Sequence, residues 1–499
     1  MKQFIRVFVT SIFVLGGILS PIASTPISQA QSVDINATTG PICRYGLDSA
    51  YPISTISQSD LASLRFGNYL DWGTGNGPTL PTGVKYIQVL RVGGELGGPE
   101  DYYTDSLNSV TTLVPAHPGA YWIIGNEPDT QYTYVLEDDS EHYQDNLTAE
   151  EYASRYYALA SQIRLLDPTA KIGFGSIVQA TPLRIRYLTR AWEALIDLDP
   201  DAPDELVDFF AIHGFILNEF PNEPNNWGTG VPKGFETDYA DAEIITIEQK
   251  AVTYDSNRFM DRVQRMRSWM NAKGQREKPL WVTEYGSVFP PVDPVGEDLV
   301  NVSDANTATF MTATFEKMST TTSSTLGMPA DGNRLVQRWF WYSLADYPYR
   351  FGGTLYDVGA EAKRTTIWNA YQNATALINT TVDLSFDSAY QVEVIPGTPN
   401  KIKITFQLLN SGSSDVSGAT VTVYQGNPIN NIDLSSMTTT SVWGCGSSTM
   451  FTIEFDQPED FQGYFYLTVA HASDPISNNN TKLIPWGFDN FIYLPIISR

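Results

Sequence analysis

The sequence predicts a (β/α)8 TIM barrel followed by a C-terminal immunoglobulin-like β-sandwich, and three observations carry that prediction. From Cys43 to about Asn379, apolar strand-like runs alternate with amphipathic helical stretches, the pattern of a parallel sheet with crossover helices. Several of those runs are almost continuously apolar, as strands covered on both faces are. After Asn379 the texture changes to period-two alternation broken by Gly, Ser, Asn and Pro, without a helical stretch of useful length.

Residues 1–30 stand apart from the fold. Lys2 and Arg6 make a basic start, Val7 to Ile22 is mostly apolar, and Ser28-Gln29-Ala30 has small residues at both ends. A secretory signal peptide cut after Ala30 is expected, because the apolar run is short for a membrane span. Since no later stretch approaches spanning length, the mature chain is expected to be secreted, or held at the cell surface, without a membrane span. The barrel is assigned to 31–379 and the sandwich to 380–499.

The eight barrel strands begin with "CRYGLDS" (Cys43), the weakest of them, "LRFGNYLDW" (Leu64), "KYIQVLRVG" (Lys85) and "YWIIGNEP" (Tyr121). "KIGFGSI" (Lys171), "DFFAIHGF" (Asp208), "PLWVTEYG" (Pro279) and "RWFWYSLAD" (Arg338) complete the set. Between them, "TAEEYASRYYALASQIRLLDP" opens on Thr148 with Glu151 three residues on, a capping box. "SNRFMDRVQRMRSWMNAKG" sets Phe259, Val263, Met266 and Met270 at helical spacing and stops at Gly274, and "KRTTIWNAYQNATALI" follows the eighth strand. The sandwich strands are "KIKITFQLLNSG", "GATVTVYQG", "STMFTIEFDQ" and "GYFYLTVAH". The tail "NFIYLPIISR" is either a final sandwich strand or a sorting signal.

Composition excludes several kinds of chemistry. With 31 basic against 56 acidic residues, a net charge of −25, the chain lacks the clustered Lys and Arg that nucleic-acid phosphates demand. Its four histidines are far apart in sequence, and there is no HExxH, CxxC, P-loop or G-x-S-x-G pattern, so no metal and no cofactor are expected. The acidic run Glu137–Asp145 lacks the glycine and closing glutamate of an EF-hand loop and reads as a solvated loop. The 12% aromatic content includes side chains that stack on sugar rings, although most must be core. A monomer is expected.

Barrel active sites lie at the C-terminal ends of the strands. The tripeptide Asn-Glu-Pro occurs twice, at 126–128 and 222–224, and only the first copy has a strand leading into it. Glu127 ends the fourth strand and Glu284 the seventh, whereas Glu223 sits in a long polar segment. Two carboxylates meeting across a barrel mouth suit glycosidic bond cleavage, in which one donates a proton to the leaving oxygen and the other attacks or activates water.

"GNEP" on the fourth strand and "TEYG" on the seventh resemble the clan A retaining glycoside hydrolases, a superfamily of (β/α)8 enzymes. The resemblance implies that Glu127 is the acid/base, Glu284 the nucleophile, and Asn126 the partner of the sugar 2-hydroxyl beside the scissile bond. Phe215 stands where a tyrosine often contacts the nucleophile in that clan, so that contact is either absent or supplied by Tyr285. His213 either lines the sugar site or is a hydrogen-bonded structural histidine. One of Trp339 and Trp341 is expected to face inward, and Trp341 is preferred as a stacking platform. Arg91 either holds Glu284 ionised or makes a plain ion pair, and Trp227 would extend the cleft.

The acid must keep its proton, so Glu127 is expected to carry the raised pKa; the opposite order would argue for exchanged roles. The substrate implied is a polysaccharide or oligosaccharide, and the rival reading is a non-catalytic carbohydrate-binding or cell-surface protein on the same scaffold. The only two cysteines, Cys43 and Cys445, are either two unrelated thiols or a bridge holding the sandwich beneath the barrel.

Overall fold

The computed structural model describes residues 40–487, apart from 95–100, 131–132, 136–140, 221–227, 290–302, 347–350, 360–362, 377, 379 and 431. The signal-peptide segment, residues 137–140 of the acidic run, Glu223, Trp227 and the apolar tail therefore lie outside the described residues. The rest of that run is not a solvated loop, since Glu141–Tyr143 is a strand and Asp145 is buried in an ion pair with Arg91.

Eight parallel strands form the central sheet. They are β1 (Ile42–Asp48), β2 (Phe66–Leu70), β3 (Lys85–Tyr86 and Gln88–Leu90), β4 (Tyr121–Ile124), β5 (Lys171–Ile177), β6 (Phe209–His213), β7 (Leu280–Gly286) and β8 (Arg338–Tyr342). Each pairs in parallel with its neighbour in chain order, and β8 pairs with β1. The two halves of β3 close the circle, one pairing with β2 and the other with β4. All eight predicted strands are present, including the weak first one, whose seven residues are buried throughout.

The crossovers carry α1 (Gln58–Ser63), α2 (Tyr102–Ala116), α3 (Ala149–Leu166), α4 (Pro182–Leu198), α5 (Ser256–Ala272), α6 (Asp304–Thr320) and α7 (Thr366–Ala376). The predicted capping box is formed: the Glu151 N–H donates to Thr148 Oγ1 at 3.2 Å and the Thr148 N–H to Glu151 Oε2 at 2.9 Å. Phe259, Val263, Met266 and Met270 of α5 are buried against the barrel, as their spacing required. Among the described residues no helix is long and apolar enough to cross a membrane.

Aromatic side chains fill the lower barrel. Phe209 and Trp281 stack at 4.1 Å, with Tyr121 4.8 Å from Trp281. The fully enclosed Arg338 guanidinium lies over Tyr121 and Trp281 at 5.2 and 4.9 Å and donates to Asn68 Oδ1 at 2.6 Å. Cation–π contact and a satisfied hydrogen bond offset the cost of taking that charge out of water.

Seven antiparallel strands follow the barrel: β9 (Leu384–Ile395), β10 (Lys401–Asn410), β11 (Thr420–Gln425), β12 (Ile432–Thr438), β13 (Ser447–Asp456), β14 (Gly463–Ala470) and β15 (Thr481–Trp486). They make two sheets, ordered β9-β10-β13 and β12-β11-β14-β15. The alternate residues Ile402, Ile404, Phe406 and Leu408 of one sheet share a core with Val421, Val423, Phe465 and Leu467 of the other.

The loop before β13 closes the floor of the barrel. Trp443 packs 4.5 Å from Tyr121, Arg338 donates to Gly444 O and Ser447 Oγ, and Lys85 pairs with Asp415 at 3.1 Å. Cys43 and Cys445 are disulfide-bonded, with Cα atoms 6.1 Å apart. A Cβ on Gly444 would lie 2.9 Å from Cys43 Sγ, so the loop can pass beside the bridge only as glycine.

Candidate active site

The end of β4 turns sharply to present its carboxylate. Gly125, at φ +92°, lets the chain turn where a Cβ would sit 2.9 Å from the Tyr152 ring. Glu127 itself has φ +47°, a conformation that costs a non-glycine residue on the order of 1–3 kcal/mol. Surrounding bonds hold it there. The Glu127 N–H donates to Ser176 O at 3.0 Å, and the fully buried Asp129 pairs with the equally buried Arg184 at 2.6 Å. Pro128 has no N–H to satisfy, and its carbonyl accepts from Leu147 at 2.8 Å. The turn is thereby fixed on three sides.

Glu284 faces Glu127 from the end of β7, and both are buried. His213, at the end of β6, joins them: its Nδ1 lies 2.9 Å from Glu127 Oε1 and 3.4 Å from Glu284 Oε2. One oxygen of each carboxylate and a ring nitrogen lie within 4.8 Å of one another. That triad has a spacing an ion could occupy, and His213 Nδ1 lies at hydrogen-bond distance from Glu127. His213 is thus a bridge between the two acids. Burial alone would lower its pKa, but the Glu284 and Glu127 carboxylates outweigh burial and raise it.

Burial raises Glu284 to about 8; the His213 charge opposes the rise, while Glu127 and Asp346 add to it. The proton-retaining member expected at position 127 is therefore found at 284. The physical reason is placement, because Glu284 is walled in and faces two other carboxylates.

Asn126 is brought to the same point. Its N–H donates to Asp145 Oδ2 at 2.6 Å, its side-chain amide donates to Gln144 Oε1 at 2.8 Å, and its Oδ1 accepts from the Trp72 indole at 3.1 Å. Arg91 pairs with that same Asp145 at 2.7 Å, the plain ion pair among its two alternatives. It acts on Asn126 through Asp145, at one remove from the carboxylates.

Two of the proposed substrate contacts lie on the wrong side of the sheet. Tyr285 and Trp341 are fully buried between the strands and the outer helices, where Tyr285 packs 5.1 Å from Phe259 and Trp341 lies 6.4 Å from Phe310. Alternation sends position 341 outward along with 339, and it is Phe340 and Tyr342 that point inward. A Trp341→Phe variant is expected to lower the melting temperature through the lost volume and the lost bond to Gly353 O, with KM unchanged. Thermal melts and steady-state kinetics would check this.

The aromatic wall of the mouth is instead built from Phe215, Phe289 and Tyr342, with half-buried Trp72 and Phe351 against them. Sequence reasoning also missed two carboxylates. Asp48 ends β1 fully buried, with neither oxygen hydrogen-bonded, and Asp346 follows β8, accepting from Tyr342 at 3.2 Å and from Ser343. Both occupy strand ends, so the rule that picked out Glu127 and Glu284 would have found them.

Burial raises Asp346 to about 7, and burial, then Glu284 and Asp346, push Asp48 well above the carboxylate range. In the unfolded chain such groups ionise near pH 4. Above that, the folded protein holds protons that the unfolded chain has lost. Their stabilisation is complete below about pH 4 and falls as pH rises through 7–8, by on the order of 1.4 kcal/mol per pH unit for each group. Asp346→Asn is therefore expected to flatten the decline in melting temperature between pH 5 and 8 relative to the native protein. Parallel slopes in calorimetry would refute this.

No family model matches this chain, and no curated protein does. Among solved structures, a monomeric β-xylosidase from Caulobacter crescentus CB15 aligns with a TM-score of 0.41 at 13% identity, covering 84% of this chain and 97% of that one. A glucosidase from Croceicoccus marinus gives 0.41 at 10% identity over 84% and 97% of the two chains. A family 39 glycoside hydrolase from Bacteroides cellulosilyticus WH2 gives 0.38 at 12% identity over 84% and 81%. At such identities and scores, no activity or residue role transfers from those proteins to this one.

Proposed function

We propose that this protein is a secreted retaining glycoside hydrolase of the clan A type, cleaving O-glycosidic bonds of a polysaccharide or oligosaccharide. The observation that carries the reading is the pair Glu127 and Glu284, delivered by β4 and β7 to the C-terminal mouth and bridged by one imidazole nitrogen. An oxygen of each lies within 4.8 Å of the other, closer to the roughly 5–5.5 Å of double displacement than to the wider gap that admits an attacking water.

Glu127 serves as acid/base and Glu284 as nucleophile, with Asn126 beside them for the sugar 2-hydroxyl. The raised Glu284 argues for exchanged roles, and the assignment rests instead on Asn126 preceding Glu127. One proton serves the pair, so its affinities belong to the cluster and not to one carboxyl. Burial keeps that proton on Glu284. Attack requires Glu284 to release it, and His213 Nδ1, within reach of both oxygens, passes it to Glu127, where the leaving oxygen takes it. The disulfide supports export to an oxidising compartment. The sheet orders first-second-fifth and fourth-third-sixth-seventh support an immunoglobulin-like sandwich domain over 380–499, set under a barrel domain over 31–379.

The test is hydrolysis of a panel of β-glucans, mannans, xylans and galactans with product sizing, run beside Glu284→Gln. Turnover by the native protein alone supports the reading. Binding without turnover would mark a carbohydrate-binding scaffold.

A further inference from the structure

A hydrogen-bond donor that bears on Glu284 sits in the loop after β2. Trp72 has φ +57°, an outlying conformation for a bulky side chain, which persists only where its surroundings demand it. Its ring packs 5.9 Å from Tyr342, edge to face, and its indole N–H has two acceptors. One is Asn126 Oδ1 at 3.1 Å, and the other is the Glu284 carboxyl. The position opposite, where a tyrosine hydroxyl would be expected, is Phe215, which has no donor, and Tyr285 faces the outer helices. The other groups bearing on Glu284 are His213 from β6, Glu127 from β4, and Asp346 and Asp48 from beyond β8 and the end of β1. Of these only His213 and Trp72 favour its charged form.

We infer that Trp72 is a positioning residue with a shared proton donor: its indole N–H moves from Asn126 Oδ1 to Glu284 when Glu284 ionises. One N–H makes one good hydrogen bond, and a carboxylate is the stronger acceptor of the two. When the bond moves, Glu284 is held ready to attack and the Asn126 carbonyl is freed to accept from a sugar hydroxyl. Activation of the nucleophile and exposure of the sugar contact are thus coupled through one hydrogen atom. The catalytic consequence rests on the glycosidase reading above, but the movement of the N–H does not.

The experiment is a pH titration of the indole N–H signals of the full chain labelled with 15N-tryptophan, which contains 11 tryptophans. Trp72→Phe assigns the signal, and Trp72→Tyr serves if that variant does not fold. The Trp72 proton is expected to move downfield as Glu284 ionises, and to stay fixed in Glu284→Gln. A signal that does not titrate, or titrates equally in Glu284→Gln, overturns the inference whatever the protein hydrolyses. A kinetic arm uses the panel polysaccharide that the native protein cleaves. Trp72→Phe is expected to lower kcat roughly ten- to a hundredfold, as loss of a hydrogen bond to a charged group does, and to shift the acidic limb of the kcat/KM profile upward. Unchanged kcat and an unshifted limb would also overturn it. If the titration succeeds while the native protein turns over none of the panel, the hydrolase reading fails and the donor assignment stands.

Discussion

Replacing Glu284 with Gln is expected to reduce turnover by about 10^4-fold or more, the scale of losing a covalent nucleophile. The amide matches the carboxyl in size, so the walls of the site and its contact with His213 are kept while attack becomes impossible. Glu127→Ala should behave differently. Loss of an acid costs about 10^2–10^4-fold, and the cost shrinks on aryl glycosides whose leaving group needs no proton. Azide separates the roles. Where the acid/base is missing, azide enters the face vacated by the aglycone on the glycosyl-enzyme, and the product keeps the substrate configuration. Where the nucleophile is missing, azide attacks directly from the opposite face and inverts it. Retained product from Glu127→Ala and inverted product from Glu284→Ala are expected. The reverse pairing would make Glu284 the acid, the assignment that its raised proton affinity would otherwise suggest.

Reducing the Cys43–Cys445 bridge is the second large effect. The bond spans 402 residues, and a constraint on that length of unfolded chain is worth about 6 kcal/mol by chain entropy, an upper figure. Trp443, half-buried against the aromatic floor of the barrel, adds to this; truncating a fully buried Trp to Ala costs about 3–5 kcal/mol, an upper bound for this position. A Cys43→Ser/Cys445→Ser variant should melt well below the native protein, and Trp443→Ala should lower it further. The checking measurement is denaturant unfolding with and without reductant. If the reduced and oxidised proteins share a midpoint, the bridge contributes nothing to holding the two parts together.

The barrel was legible because its strands are buried on both faces, and continuous apolar runs such as Phe209–Ile212 need no partner to be recognised. Glu127, Glu284 and His213 were legible because each ends a strand. Trp341 was misread because the pattern Arg-Trp-Phe-Trp-Tyr has aromatics on both faces, so alternation alone cannot say which set points to the lumen. Tyr285 failed for another reason: the residue after an inward Glu284 faces outward. Asp48 and Trp72 went unnoticed for different causes. Asp48 answers to the same strand-end rule but closes the weakest of the predicted strands, and burial with two neighbouring acids keeps its proton. Trp72 acts through a backbone conformation that nothing in "LDWGTG" announces.

The covalent tie across the barrel floor also has a meaning in time. β1 is the first of the described strands to be synthesised, yet its cysteine finds its partner only after the chain has reached position 445. Contacts of such sequence separation form late, because the loop they close must already be paid for in order elsewhere. Until residue 445 is made, β1 is held by its pairing with β2 and β8, and the covalent tie comes last, from the far end of the chain backward.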